Sequence, residues 1–174
     1  MGQSDSKFRV ELRSLIPRLR RFGHALTGST DDGDDLVQDA LEKALLREDQ
    51  FQPGTRMDSW VYKIMQNRWI DRKRSAASRA TVVQPLEDDD YAIGEDGRES
   101  FDAKISLRQV RDMMQRLHDD ERSVLVLVSI EGQSYQEAAE TLSIPIGTVM
   151  SRLARARKKL MRLLDGEAAS SNFG

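Results

Sequence analysis

The 174-residue sequence contains no cysteine, and that absence removes disulfides, thiol nucleophiles and every cysteine-dependent zinc or iron–sulfur site. Histidine is scarce too. His24 and His118 stand far apart in the chain and leave little material for an imidazole metal centre or a proton relay. No cofactor and no metal are expected. Aromatic residues make up only 6% of the chain, so packing must rest on Leu, Ile, Val, Met and Ala. No apolar run approaches the roughly 20 residues of a membrane span, and the opening MGQSDSKFRVEL is too polar for a signal peptide. These features predict a cytoplasmic protein without membrane insertion. A P-loop, a dinucleotide-binding glycine pattern and an H-E-x-x-H signature are also missing. No catalytic residue is assigned, and the chain does not read as an enzyme.

Charge is what the sequence has in abundance, 32% of residues, and its distribution says more than the net of −2. Residues 1–80 carry 15 basic and 12 acidic groups, residues 81–103 carry one and 8, and residues 104–174 carry 11 and 9. An acidic middle therefore separates two basic ends. Within those ends, Lys63, Arg68, Arg72, Lys73, Arg74 and Arg79 face only Asp71 in their stretch. Arg152, Arg155, Arg157, Lys158, Lys159 and Arg162 are uninterrupted by any acid. Two separated cationic patches suit two contacts with a polyanion.

Apolar residues recur at helical spacing almost throughout, which predicts an all-α protein of two small helical domains joined by a flexible acidic linker. Leu12, Leu15, Ile16, Leu19, Phe22 and Leu26 mark a first helix, with Pro17 predicting a kink or a helix start. Thr27 to Thr30 break the pattern. Asp31, Asp32 and Asp34 suit the cap and first turn of a second helix that buries Leu36, Val37, Ala40, Leu41, Ala44 and Leu45. After Pro53-Gly54, Trp60, Val61, Ile64, Met65, Trp69 and Ile70 line a third helix, with both tryptophans read as core. Together these predict a bundle over residues 8–77.

Residues 81–103 hold Pro85, Gly94, Gly97 and the run Glu87 to Asp90, and they read as linker. A second helical domain follows, with Ile105, Leu107, Val110, Met113, Met114 and Leu117 inward. The β-branched run Val124 to Val128 favours a strand by propensity. The acidic start at Asp119, Asp120 and Glu121, and the want of a partner strand, decide for helix. Ser134 and Glu137 then form a capping box for a short helix packed through Tyr135, Ala138, Ala139 and Leu142. Ser143-Ile144-Pro145 makes a turn into a helix running from Ile146 to about Ala156, with Val149 and Leu153 inward and Thr148, Ser151, Arg152 and Arg155 outward. This is a helix-turn-helix pattern whose second helix can enter a major groove. Its arginines can bond guanine in pairs, and Lys158 and Lys159 can hold phosphates.

At this point the chain resembles the extracytoplasmic-function (ECF) sigma factors of the sigma-70 type. Asp34-Asp35-Leu36-Val37-Gln38-Asp39-Ala40 is similar to the family's D-D-L-V-Q-E-x signature. Trp60 to Asn67, followed by Asp71-Arg72-Lys73-Arg74, resembles W-L-x-x-I-x-x-N…D-x-x-R. Gly132 to Ala139 and Pro145 to Arg157 resemble G-x-S-x-x-E-I-A and P-x-G-T-V-x-S-R-x-x-R-A-R, with Met150 where Lys or Arg is common and Ala154 where a larger side chain sometimes stands. Leu15 to Gly28 resembles the general-stress-response subgroup of alphaproteobacteria.

The resemblance implies a region 2-like domain over 1–80, the linker, and a region 4-like domain over 104–174. It implies binding to core RNA polymerase (β and β′ subunits) through Asp35, Leu36, Gln38 and Leu41. It places −10 promoter DNA at Lys63, Asn67, Arg72 and Arg74, and −35 DNA at Thr148, Ser151, Arg152, Arg155 and Lys158. An anti-sigma factor is an implied partner, and the polymerase-bound protein is expected at the nucleoid. Two other readings stay open on the residues alone: a stand-alone helix-turn-helix regulator, and a sigma-like decoy that captures an anti-sigma factor.

Overall fold

A computed structural model describes residues 2–79 and 107–171. The acidic linker, together with Phe101 and Ile105, lies outside the described residues. The described residues form helices joined by short turns: α1 Gly2–Ser14, α2 Ile16–Thr27, α3 Thr30–Leu46, α4 Met57–Arg79, α5 Leu107–Gln115, α6 Asp119–Leu125, α7 Tyr135–Leu142 and α8 Ile146–Ser171. One 3-10 turn, Glu48–Gln50, follows α3.

Pro17 falls in the first turn of α2, where its missing N–H costs nothing, so it opens a helix instead of kinking one. Gly28 ends α2 in the left-handed conformation and returns its N–H to the His24 carbonyl at 2.9 Å. The next residue, Ser29, takes the N-cap of α3 by accepting from the Asp32 N–H at 3.2 Å, which leaves Asp31 and Asp32 in the first turn where the helix dipole favours them. Helices α2 and α3 can touch backbone to backbone because Gly23 faces Gly33: a Cβ on Gly23 would sit 2.8 Å from the Gly33 carbonyl oxygen. Over this pair lies α4, burying Val61, Tyr62 and Met65 against Leu19, Phe22, Leu26 and Leu36. Trp60 closes the edge against Phe8 and Phe51, and Trp69 is half-buried against the same core.

In the C-terminal half the Val124 to Val128 run is helical, as its acidic start predicts. Its second part, Val126–Ile130, is a π turn. Helix α7 carries the capping box in full, Ser134 accepting from the Glu137 N–H and Glu137 from the Ser134 N–H. Ser143 makes the turn at φ 56°, and α8 buries Val149, Leu153 and Ala156 before running well past the predicted end. Two inward assignments need correction. Tyr135 is exposed at the start of α7, and Thr141 takes the buried place, donating its hydroxyl to Gln133 Oε1 at 3.1 Å. Leu45 also turns outward, because α3's apolar stripe drifts off the core in its last turn.

Candidate nucleic-acid and partner-binding surfaces

Helix α4 sorts its polar residues by helical phase. Lys63, Asn67 and Arg74 follow one line at spacings of four and seven, and all three are exposed. Arg72 stands on the opposite side. It donates to Asp39 of α3 at 2.7 Å, where Arg68 joins it at 3.2 Å. Burial works to raise the Asp39 pKa, but the bonds from Arg72 and Arg68 outweigh it and hold the carboxyl below its ordinary value. The structure therefore gathers three of the four residues expected to meet −10 DNA and commits Arg72 to joining α3 to α4.

Helix α8 exposes Gly147, Met150, Ala154, Arg155 and Lys158, with Thr148, Ser151 and Arg152 half-buried at the flank. The Ser151 hydroxyl donates to its own helix at the Thr148 carbonyl, 3.1 Å. Arg152, 22% exposed, pairs with Asp120 of α6 at 2.7 Å. Arg155 lies 3.7 Å from Glu121. The acidic first turn of α6 thus stands beside both arginines.

On α3, Asp35 and Gln38 are exposed together with Asp31, Glu42 and Leu45 at spacings of three and four, so they form one outward line. Leu41 is half-buried beside it. Leu36 is fully buried, so it supports the face from beneath and is absent from the surface it was expected to share. Leu45 and Leu46, 43% and 83% exposed, extend the outward line and belong to it by position. The stripe at the end of a helix that looked wholly amphipathic concealed them.

The two halves meet face to face. Gln66, Asn67, Ile70 and Arg74 of α4 form one wall of a cleft of about 330 Å³, and Asp120, Ser123, Ile144 and Arg152 contribute to the other. Below this cleft the halves are joined by polar contacts. Ser123 donates to Gln66 at 2.9 Å, Gln133 to Ser59 at 3.2 Å, and Arg56 pairs with Glu137. Glu131, its side chain 0% exposed, receives Arg18 at 3.1 Å, Arg21 at 3.2 Å and the Tyr62 hydroxyl at 2.6 Å. Burial first, and the Glu131 carboxylate second, push the Tyr62 phenol far above its ordinary pKa, so it serves as a neutral donor.

Residues 107–160 match the family described as "Sigma-70, region 4", and residues 12–66 match the "Sigma2 domain of PhyR". The ECF RNA polymerase sigma factor EcfG of Rhodopseudomonas palustris is 34% identical over 174 residues, covering 100% of this chain and 93% of that one. The chain belongs to the ECF sigma factors. SigM of Mycobacterium tuberculosis is 33% identical over 84% of this chain and 71% of its own. Among solved structures, the sigma factor RpoE bound to the anti-sigma factor NepR from Bartonella quintana superposes with a TM-score of 0.73 at 30% identity, covering 91% of this chain and 97% of that one. CnrH in complex with the cytosolic domain of CnrY gives 0.64 at 25% identity over 95% and 94%.

As an ECF sigma factor the chain supplies promoter recognition for transcription initiation and no chemistry of its own. No described helix is long and apolar enough to cross a membrane. The role of the interface around Glu131 was not legible in the sequence, where Glu131, Arg18 and Arg21 look like ordinary surface charges.

Proposed function

We propose that this sigma factor divides its work between residues 1–80, which dock on core polymerase and open the −10 element, and residues 104–174, which read the −35 element. The alignment of Lys63, Asn67 and Arg74 on one exposed line of α4 carries this reading. That line offers a donor and acceptor for a base edge at Asn67 between two cations for the flanking phosphates. Strand opening costs a few kcal/mol per unstacked base, so a captured base and held backbone are the contacts such a surface must provide. Asp35, Gln38 and Leu41, extended by Leu45, form the polymerase-docking line. Thr148, Ser151, Arg152, Arg155 and Lys158 lie toward the −35 duplex, with Arg152 and Arg155 able to take guanine in pairs of bonds. An anti-sigma factor is the regulatory partner, as NepR is of RpoE in the superposed complex, and a stress response is the setting.

Promoter-dependent transcription in vitro with core polymerase from the source organism tests the division. Arg152→Ala and Arg155→Ala should each lower initiation by about fivefold to about 150-fold, the range of about 1–3 kcal/mol for a paired base contact. Pre-opened template across −10 should not rescue them. Asn67→Ala should lose activity on duplex promoters and regain it on pre-opened ones. Equal rescue of both sets by the opened template would overturn the assignment.

A further inference from the structure

We infer that Met150 is a specificity-determining residue of the −35 contact: its thioether side chain, with Ile146 beside it, reads thymine C5-methyl groups in the major groove. The inference rests on the placement of α8 at the −35 duplex proposed above and names what that helix selects there.

Three observations carry it. First, the part of α8 that enters a groove foremost presents hydrocarbon. A recognition helix meets base edges chiefly through its N-terminal residues, and the outward residues there are Ile146, Gly147, Met150 and then Ala154. None of these side chains carries a hydrogen-bond donor. Ile146 and Met150 stand four residues apart on one face and are 44% and 47% exposed, whereas Val149 and Leu153 of the same helix are buried. A Cβ at Gly147 would meet nothing within 4 Å, so the chain itself places nothing between this face and a ligand.

Second, the polar side chains around Met150 leave it an apolar task. Ser151 donates to the Thr148 carbonyl at 3.1 Å, and Arg152 pairs with Asp120 at 2.7 Å on the flank. Arg155, 3.7 Å from Glu121, follows one turn further along. Hydrogen-bonded readout from this helix rests on those arginines. Met150, without a donor, contributes by apolar contact, and thymine is the base that offers the major groove a methyl group for it. An unbranched thioether adapts to the uneven wall that stacked methyl groups present.

Third, the charge around this apolar face identifies its occupant. Arg152, Arg155, Arg157, Lys158, Lys159 and Arg162 follow with no acid among them. The surface that fits has hydrocarbon at its centre and negative charge around it, which describes thymine methyls between two phosphate backbones. Where the family's motif commonly carries Lys or Arg, Met150 exchanges a charge that any phosphate satisfies for a side chain that favours a methylated base.

The test uses the holoenzyme, this chain with core RNA polymerase, on the promoter it initiates best from a genomic library. Each −35 thymine, on either strand, is replaced singly by deoxyuridine, which removes the C5-methyl and keeps the base pair. Initiation by the wild type should fall about fourfold at one or two positions, the worth of one buried methylene-sized group. Met150→Ala should be weaker by a similar factor on the thymine template and indifferent to deoxyuridine at those positions, while Met150→Leu should keep the sensitivity. Thermal unfolding of each variant checks that it folds. Equal deoxyuridine sensitivity of wild type and Met150→Ala, including none in either, would overturn the inference. So would a −35 element without thymine, or a Met150→Ala defect of the same size on both templates, the mark of a protein partner on this face. Arg155→Ala separates the two levels. If it leaves initiation unchanged, the −35 placement of α8 fails and the thymine contact with it. If it lowers initiation while deoxyuridine has no Met150-dependent effect, the thymine contact alone is refuted.

Discussion

Arg122→Met removes a guanidinium while keeping most of the side chain's volume, and it should be the most damaging single change in the C-terminal half. Arg122 is buried in α6 and fans its donors over helix ends. Nε reaches the Met114 carbonyl at 2.8 Å, Nη2 the Gln115 and Leu117 carbonyls at 3.2 and 2.9 Å, and Nη1 the Leu26 carbonyl at 2.5 Å. Three of these carbonyls belong to the last turns of α5 and α2 and Leu117 to the turn after α5, and a cation there also meets the negative end of each helix dipole. Asp119 alone supplies an opposing charge, at 3.2 Å. Burial accordingly lowers the Arg122 pKa, and Asp119 only partly restores it. Charge-assisted bonds contribute about 1.5–3 kcal/mol each, but desolvating the guanidinium costs several kcal/mol in return. A net loss of about 3–5 kcal/mol follows, the size seen when one member of a buried ionic set is deleted. For a protein of this size that is a fall in Tm on the order of 10 °C. Urea titration followed by circular dichroism measures it. Arg122→Lys should fall between, since one ammonium cannot span carbonyls that diverge from a planar fork. A loss below about 1 kcal/mol for Arg122→Met, or equal losses for Met and Lys, would refute the reasoning.

Two glycines on separate helices should answer the same substitution in opposite ways. A Cβ on Gly33 would lie 2.8 Å from the His24 backbone nitrogen and 2.9 Å from the Gly23 carbonyl carbon. No rotamer relieves that clash, and overpacking of about 1–3 kcal/mol exceeds the gain of about 1 kcal/mol in helix propensity. Gly33→Ala should therefore lower Tm, while Gly147→Ala, with nothing within 4 Å of its Cβ, should leave it unchanged or raise it. Acid unfolding should report Asp34, whose carboxyl is held down from 3.8 to about 2 by the bonds from Arg20 and then from His24. Its stabilising contribution is complete above 3.8 and disappears as pH falls toward 2, so Asp34→Asn should flatten the stability profile across that interval and leave neutral-pH differences constant.

What sequence reasoning could reach was set by the range of the interactions involved. Caps and periodicity are local, so the Ser134–Glu137 box, the helix start at Pro17 and the inward placement of Val149 and Leu153 were all legible. The helical fate of Val124 to Val128 was legible from its acidic first turn even against strand propensity. Phase within a helix was only partly so. Leu36 and Arg72 match family motif positions, yet one is fully buried and the other is tied to Asp39 across 33 residues. Tyr135 and Leu45 lie at the ends of apolar stripes, where a period of 3.6 drifts away from the face it began on. Glu131 could not be found at all, because its partners Arg18 and Arg21 are more than a hundred positions away and no local pattern links them.

The ion pairs of the recognition helix, which lie within the C-terminal half, and those at the seam between the halves differ in what they can resist. Arg152–Asp120 and Arg155–Glu121 occupy the arginines of the recognition helix, but Asp120 is 54% exposed and the Arg155 pair spans 3.7 Å. The Asp120 pair, so open to water, contributes at most about 1 kcal/mol and is screened by salt, while the Arg155 pair is weak by its length. A phosphate backbone that releases counterions as it binds outcompetes them without difficulty. Glu131 is in the opposite position: its carboxylate is sealed from solvent, so its bonds to Arg18, Arg21 and Tyr62 cannot be exchanged one at a time for water. Opening must break them together. The seam between the halves is therefore held more firmly than the pairs that flank the DNA-reading helix. It follows that raised salt should weaken DNA binding far more than it shifts the distance between the halves.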